Sequence, residues 1–291
     1  MSSTKRRGSP THGPAATGSM RSGQMGAARA AVDTRPAVPG SAPTLPVAAI
    51  PRYTRPLLIP QVMPQATGLS AGSAGLDGYE IAVRQIEQHV LPPELGLPPT
   101  TVWSYGCVHR VKWINDLKDP ATGRFLPHLL PVDPTLHWAN PPGGTQGRDS
   151  RPTFPGDRPP GPYRGPVPFV THLHGTAGVA QESDGYPEAW YLPAATDIPE
   201  GYAATGTFYD YYKRTSPLGD LWEPGAAVFE YPNDQRATTL WYHDHSLGIT
   251  RLNLYAGPAG FYLLRGGPDD LPEDVLPGPA PRPGDRQGAG V

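Results

Sequence analysis

Proline decides most of what this chain can become. It fills 40 of the 291 positions and Gly another 35, so about a quarter of the chain resists regular structure. Proline has no amide proton and clashes inside a helix, and Gly loses the most backbone entropy on folding. A long helical bundle is thereby excluded, whereas short strands between Pro- and Gly-rich turns are not. Hydrophobic residues at 37% and aromatics at 9% suffice for one sizeable core. The breakers are unevenly spread: residues 139–168 hold nine Pro and six Gly. A long irregular loop is expected there.

Charge and cysteine content narrow the function classes. Lys and Arg number 24 against 26 Asp and Glu, a net charge of -2. That balance lacks the basic excess by which proteins neutralise phosphates, so no nucleic-acid partner is expected. Cys107 is the single cysteine, too few for an intrachain disulfide or a Cys-rich metal cluster. No apolar run approaches the 18 or more residues of a membrane span. Residues 1–48 contain no aromatic residue and read as a disordered arm. Lys5, Arg6 and Arg7 are not followed by an apolar stretch, so a cytoplasmic location is expected rather than export. Residues 267–291, with six Pro and five Gly, read as a linker or a truncated end.

The body between them, residues 49–266, reads as all-β. Strand signals run over 101–105, 108–114, 167–174, 226–231, 238–245 and 260–264, each short, rich in β-branched or aromatic residues, and bounded by turn formers. Tyr231-Pro-Asn-Asp-Gln-Arg236 has turn composition, which predicts a β-hairpin over Ala226 to His245. Several short strands with turn-rich connections predict a sandwich or barrel.

Four of the nine His fall into two like patterns, His172-Leu173-His174 and His243-Asp244-His245, each closing a predicted strand. On a strand, residues i and i+2 share a face, so each pattern aims two imidazoles one way and turns Leu173 and Asp244 the other. Two such pairs on neighbouring strands make a four-imidazole surface, which is a metal site by composition. Nitrogens bound to one ion at about 2 Å can be at most about 4 Å apart, whereas Cα atoms two apart on a strand are about 6.6 Å apart. The pairs must lean together or serve two ions, and spacing alone leaves both open. Imidazole suits copper, zinc, iron and nickel. His12 falls in the arm, and His89, His109, His128 and His137 are isolated and read as structural.

The words around these pairs are specific. Thr171-His-Leu-His-Gly175, Ser183-Asp-Gly-Tyr-Pro-Glu-Ala-Trp190, Tyr231-Pro-Asn-Asp-Gln-Arg236, Leu240-Trp-Tyr-His-Asp-His245 and Thr250-Arg-Leu-Asn-Leu-Tyr-Ala-Gly257 resemble the first cupredoxin domain of bacterial multicopper oxidases. Thr101-Val-Trp-Ser-Tyr105, Val111-Lys-Trp-Ile-Asn115 and Leu130-Pro-Val-Asp-Pro-Thr-Leu-His137 are similar to the same family. The branch is that of the spore-coat laccase, bilirubin oxidase and phenoxazinone synthase. The resemblance implies a cupredoxin-like, plastocyanin-like Greek-key β-sandwich or barrel with long Pro/Gly-rich loops. It implies oxidation of phenolic, aminophenol or bilirubin-type aromatic substrates coupled to reduction of dioxygen to water. By the match of motifs, His172 would bind the type 2 copper and His174, His243 and His245 the type 3 pair. Asp184 would be the acid near the cluster that delivers protons.

The sequence also departs from the family. The type 1 copper of the family sits in a later domain on a His-Cys-His stretch, and no such stretch occurs here. The chain carries four of the eight trinuclear ligands, so complementary carboxy-terminal cupredoxin domains or a second chain are expected as partners. Around Tyr105-Gly-Cys-Val-His-Arg110 about ten residues of the family pattern are missing, which predicts a lost core strand or a shifted register. Cys107 reads as a small hydrophobe rather than a ligand. Three functions follow: a half-site of a laccase-like oxidase, a non-catalytic copper-binding module or gene remnant, or a mononuclear zinc site of three ligands and a water.

Overall fold

The computed structural model of the chain describes residues 45–52, 54, 78–107, 111–154 and 161–264. The chain divides into two units, Met1–Arg52 and Tyr53–Val291. In the first, the described residues form a 3-10 turn at Val47–Ala49, with the Ala49 amide donating to the Pro46 carbonyl at 2.9 Å. Residues 1–44 of the expected arm and the whole stretch 267–291 lie outside the described residues. So do residues 108–110 and the side chain of Cys107.

The second unit is all-β, as expected. Its strands are β1 (Glu80–Gln88), β2 (Thr100–Cys107), β3 (Lys112–Asn115), β4 (Thr171–His174), β5 (Ala226–Val228), β6 (Thr238–Asp244) and β7 (Ala259–Leu264). Three short helices interrupt them, α1 (Gly144–Gly147), α2 (Thr207–Thr215) and α3 (Thr250–Tyr255). One sheet has the order β2-β1-β3-β5 and the other β4-β6-β7. Within the first sheet β1 runs antiparallel to β2 and parallel to β3. The second is antiparallel throughout.

Period-two patterning sends one side of each sheet into a shared core. Ile81 and Val83 of β1, Trp103 and Tyr105 of β2 and Trp113 of β3 meet Leu173 of β4 and Leu240 and Tyr242 of β6. The sheets are joined by aromatic edges: Tyr105 lies 4.9 Å and Trp113 5.1 Å from the Tyr242 ring. Such pairs add about 0.5–1.5 kcal/mol beyond area burial. Asn115, fully buried at the end of β3, donates to the carbonyls of Val167 (2.9 Å) and Tyr191 (3.0 Å). It ties the first sheet to the loop that enters β4.

The expected hairpin over Ala226 to His245 does not exist. β5 pairs with β3 in one sheet and β6 with β4 and β7 in the other, so Tyr231–Arg236 crosses between sheets. Composition specifies a turn but not which edge the next strand finds. The strand expected over 167–174 begins only at Thr171, because Pro166 and Pro168 cannot donate to a ladder. The strand expected over 108–114 is described as Lys112–Asn115. β1 and α2 carry no expectation: β1 mixes apolar and charged residues over its exposed half, and α2 holds only nine residues. The stretch 139–168 is irregular as expected over its described part, with α1 and a 3-10 turn at Pro141–Gly143 as its regular segments.

Candidate metal centre

The four paired imidazoles share one face. β4 and β6 are in register with His172 opposite His243, His174 opposite Trp241, and Thr171 opposite Asp244. The pleat therefore places His172, His174, Trp241 and His243 together and sends Leu173, Tyr242 and Asp244 into the core. His245 continues this pattern just past β6, its amide donating to the Val170 carbonyl at 2.8 Å. The His172 ring centroid lies 5.6 Å from His174, 5.6 Å from His243 and 4.9 Å from His245. His243 lies 5.6 Å from His174 and 6.0 Å from His245.

Hydrogen bonds settle which ring nitrogens carry protons. A carbonyl only accepts, so His172 donates through Nδ1 to the Asp184 carbonyl at 2.5 Å, leaving Nε2 with a free lone pair. His243 likewise donates from Nδ1 to the Asp244 carbonyl at 2.7 Å. Its Nε2 therefore accepts a hydrogen bond from His174 Nδ1 at 3.4 Å, within the separation that two donors to one ion allow. His245 Nδ1 is buried with no hydrogen-bond partner. The Gly185 backbone is the polar group that lies near this ring. Burial holds the His243 and His245 imidazolium forms below the ordinary His range, and neighbouring imidazoles push the same way. Both rings are therefore neutral near pH 7, the protonation state that binds metals.

The bond to the Asp184 carbonyl depends on a glycine. Gly185 has φ +75°, and a Cβ there would strike the Thr171 carbonyl and the His172 backbone. Only a residue without a side chain lets this loop lie against β4. The Asp184 side chain is 38% exposed, and its Oδ1 is 3.4 Å from His172 Nδ1. Asp184 therefore joins the site twice, by its backbone and by a carboxylate open to solvent.

Two buried groups brace the face from behind. Asp244, fully buried, accepts from the Ser246 hydroxyl (2.7 Å), the Ser246 amide (3.1 Å) and the Val170 amide (3.2 Å). Burial pushes its carboxyl up to about 7 against the pull of these donors. Asn253 of α3 donates to the Pro168 carbonyl at 3.1 Å. Beyond β4, Gln235 of the crossing segment accepts from the Ala177 amide (2.6 Å) and donates to the Gly175 carbonyl (3.1 Å). It pins the loop that follows His174.

The four paired His and Asp184 thus come together, and among the described residues the isolated His do not join them. His128 is half-buried beside Trp103, 4.7 Å away, and bonded to Asn253; His137 bonds the Asp149 carbonyl. His109 lies outside the described residues. Sequence reasoning missed Trp241, whose ring lies 4.1 Å from His243 and 5.2 Å from His174. Its place two residues before His243 on one strand was the available signal. Among the described residues no three His, Cys, Asp or Glu side chains are gathered closely enough to hold one ion. The face offers donors singly and in pairs.

A two-sheet β domain presenting four imidazoles on one sheet face offers the donor chemistry that suits copper, zinc, iron and nickel. The relatives narrow that choice. Over 199 residues the chain is 36% identical to the laccase of Bacillus stratosphericus, covering 64% of this chain and 28% of that protein. It is 35% identical over 200 residues to the laccase of Bacillus subtilis, covering 64% and 29%. The laccase of Haloferax volcanii is 34% identical over 255 residues, covering 83% and 35%. The chain belongs to the multicopper oxidase family, a family of copper-dependent oxidoreductases. It spans about a third of the length of the curated relatives it matches. No family model matches it. Among solved structures, the crystal structure of a laccase from Pediococcus acidilactici aligns with 64% of this chain and 26% of its own at 16% identity, with a TM-score of 0.29. No helix among the described residues is long and apolar enough to cross a membrane.

Proposed function

We propose that this chain supplies half of the trinuclear copper site of a laccase-like multicopper oxidase. The observation that carries this reading is the β4–β6 face. Two of its imidazoles turn their N–H groups onto backbone carbonyls, and a third keeps a buried nitrogen without a partner. Metal-ligating His commonly donate the other ring N–H to such a carbonyl, so the donor set fits copper. His172 would hold the type 2 ion, and His174, His243 and His245 the type 3 pair. Copper held there supplies one-electron redox chemistry for reducing dioxygen to water.

This chain's own residues orient and supply protons. The Asp184 carbonyl fixes the His172 ring, and the Asp244 carbonyl fixes the His243 ring. The Asp184 carboxylate, open to solvent on one side and beside the His172 ring on the other, would take a proton from water and give it up to reduced oxygen at the face. Complementary cupredoxin domains bearing the remaining ligands and a type 1 copper complete the enzyme. The reducing substrate is then a small phenolic, aminophenol or bilirubin-type aromatic.

The test is copper titration of the purified chain, with visible absorption and oxygen uptake on a phenol. Binding of up to two ions, lost in His172→Ala and His243→Ala, with neither an intense thiolate band nor turnover, is the expected result. A folded chain that binds no copper would sink the reading. Turnover by the chain alone would sink its half-site character.

A further inference from the structure

His174 is the solvent-exposed imidazole of the four and one that the backbone leaves loose. His172 and His243 are each tied through Nδ1 to a carbonyl, whereas among the described residues His174 has no hydrogen bond to the main chain. Two torsions separate its ring from the strand, and nothing in the β4 ladder fixes them. Its Nδ1 meets His243 Nε2 in a hydrogen bond of 3.4 Å, a long contact that leaves the two ring planes needing a further cause.

That cause is Trp241. It stands directly opposite His174 in the β4–β6 register and two residues before His243 on the same strand face. Its ring is stacked on His174 at 5.2 Å with 27° between planes, and lies tilted against His243 at 4.1 Å with 32°. One half-buried indole therefore touches both members of the closest nitrogen pair. We infer that Trp241 is a positioning residue, a rigid wall that sets the planes of His174 and His243 so that one nitrogen of each converges on a shared ion. The indole has no donor or acceptor in this contact, so it acts by shape and ring stacking. The inference rests on the copper-ligand reading above for the identity of the ion, but not for the packing of the rings.

The experiment uses the full chain and two readouts. In the metal-free protein, proton NMR of the His174 and His243 ring protons reports the indole directly, through ring-current displacement and cross-relaxation with Trp241. Upfield-displaced His174 ring signals, lost in Trp241→Leu together with the His174–His243 cross-relaxation, are expected. Absence of that displacement in the unaltered protein overturns the proposal, as does an unchanged His174–His243 contact in Trp241→Leu. In the second readout, copper(II) affinity falls about tenfold in Trp241→Leu, the scale on which outer partners of metal ligands act, and is largely restored in Trp241→Phe. Equal affinity in all three proteins overturns the proposal even if Trp241→Leu melts earlier, because lost packing alone lowers only stability. If the unaltered chain binds no copper, the half-site reading falls, and the NMR arm still decides whether Trp241 holds the rings. Should Trp241→Leu not fold, Trp241→Phe and the unaltered protein carry both measurements.

Discussion

Single residues at this site do work that their types alone do not announce. Gly185 permits the loop of Asp184 to reach His172, and Gly185→Ala forces a Cβ into the Thr171 carbonyl at φ +75°. The cost is about 1–3 kcal/mol, the range for strained backbone. That translates to a melting point lower by roughly 2–12 °C for a domain of this size, measured by differential scanning calorimetry. His128 carries a pH prediction. Its Nδ1 accepts from the Leu130 amide at 2.9 Å and its Nε2 donates to Asn253 Oδ1 at 3.1 Å, so the neutral ring is fully satisfied and an added proton would face an N–H. Burial holds its folded pKa below the usual His value. The unfolded chain therefore takes up the proton first, and stability is lost as pH falls below about 6.5, the unfolded value. His128→Gln should flatten the fall in melting temperature between pH 7 and 5, and an unchanged slope would refute this. The shared face of the four paired His was legible at this scale because each His-x-His pattern closes a strand, where residues i and i+2 point the same way. Gly185 was legible only as part of a turn, because what it touches lies on another strand.

At the scale of elements, the crossing segment Tyr231–Arg236 joins the sheets and brings Gln235 to the loop after His174. Gln235→Ala removes two hydrogen bonds worth about 0.5–1.5 kcal/mol each at most, less for exposed groups. We expect a small loss of stability and a severalfold loss of copper affinity, read by calorimetric titration. Gln235→Glu keeps the acceptor for Ala177 but loses the donor to Gly175, and should fall between the two. The strands bearing the His pairs were visible in sequence, since β-branched and aromatic residues alternate there between turn formers. Strand partnership was not. Nothing local in Ala226–His245 distinguishes a hairpin from a crossing, and only the pairing of β5 with β3 decides it. β1 escaped notice because its outer half, Arg84–Gln88, is exposed and lacks a buried face to pattern it.

For the whole molecule, the core and the imidazole face are two sides of the β4–β6 ladder, so any ligand held on that face is linked to folding. A ligand that binds only the folded state adds RT ln(1 + [L]/Kd), about 2.7 kcal/mol at a hundredfold excess over Kd. Copper should raise the melting temperature of the chain, and His172→Ala with His243→Ala should abolish the rise, as differential scanning fluorimetry would show. The all-β class was readable from proline content and strand chemistry. The two-sheet partition was not, because sheet membership is fixed by contacts far apart in sequence, such as Tyr105 and Trp113 against Tyr242. The outer strand of the imidazole-bearing sheet has a further consequence. Among the described strands β7 pairs only with β6, and its Phe261 and Leu263 are 66% and 51% exposed on the side where Trp241 and the imidazoles stand. An open, greasy strand margin is a template for self-association. Handled alone at high concentration, this chain is therefore prone to clump through β7, and its solubility becomes a measure of whether that margin is covered.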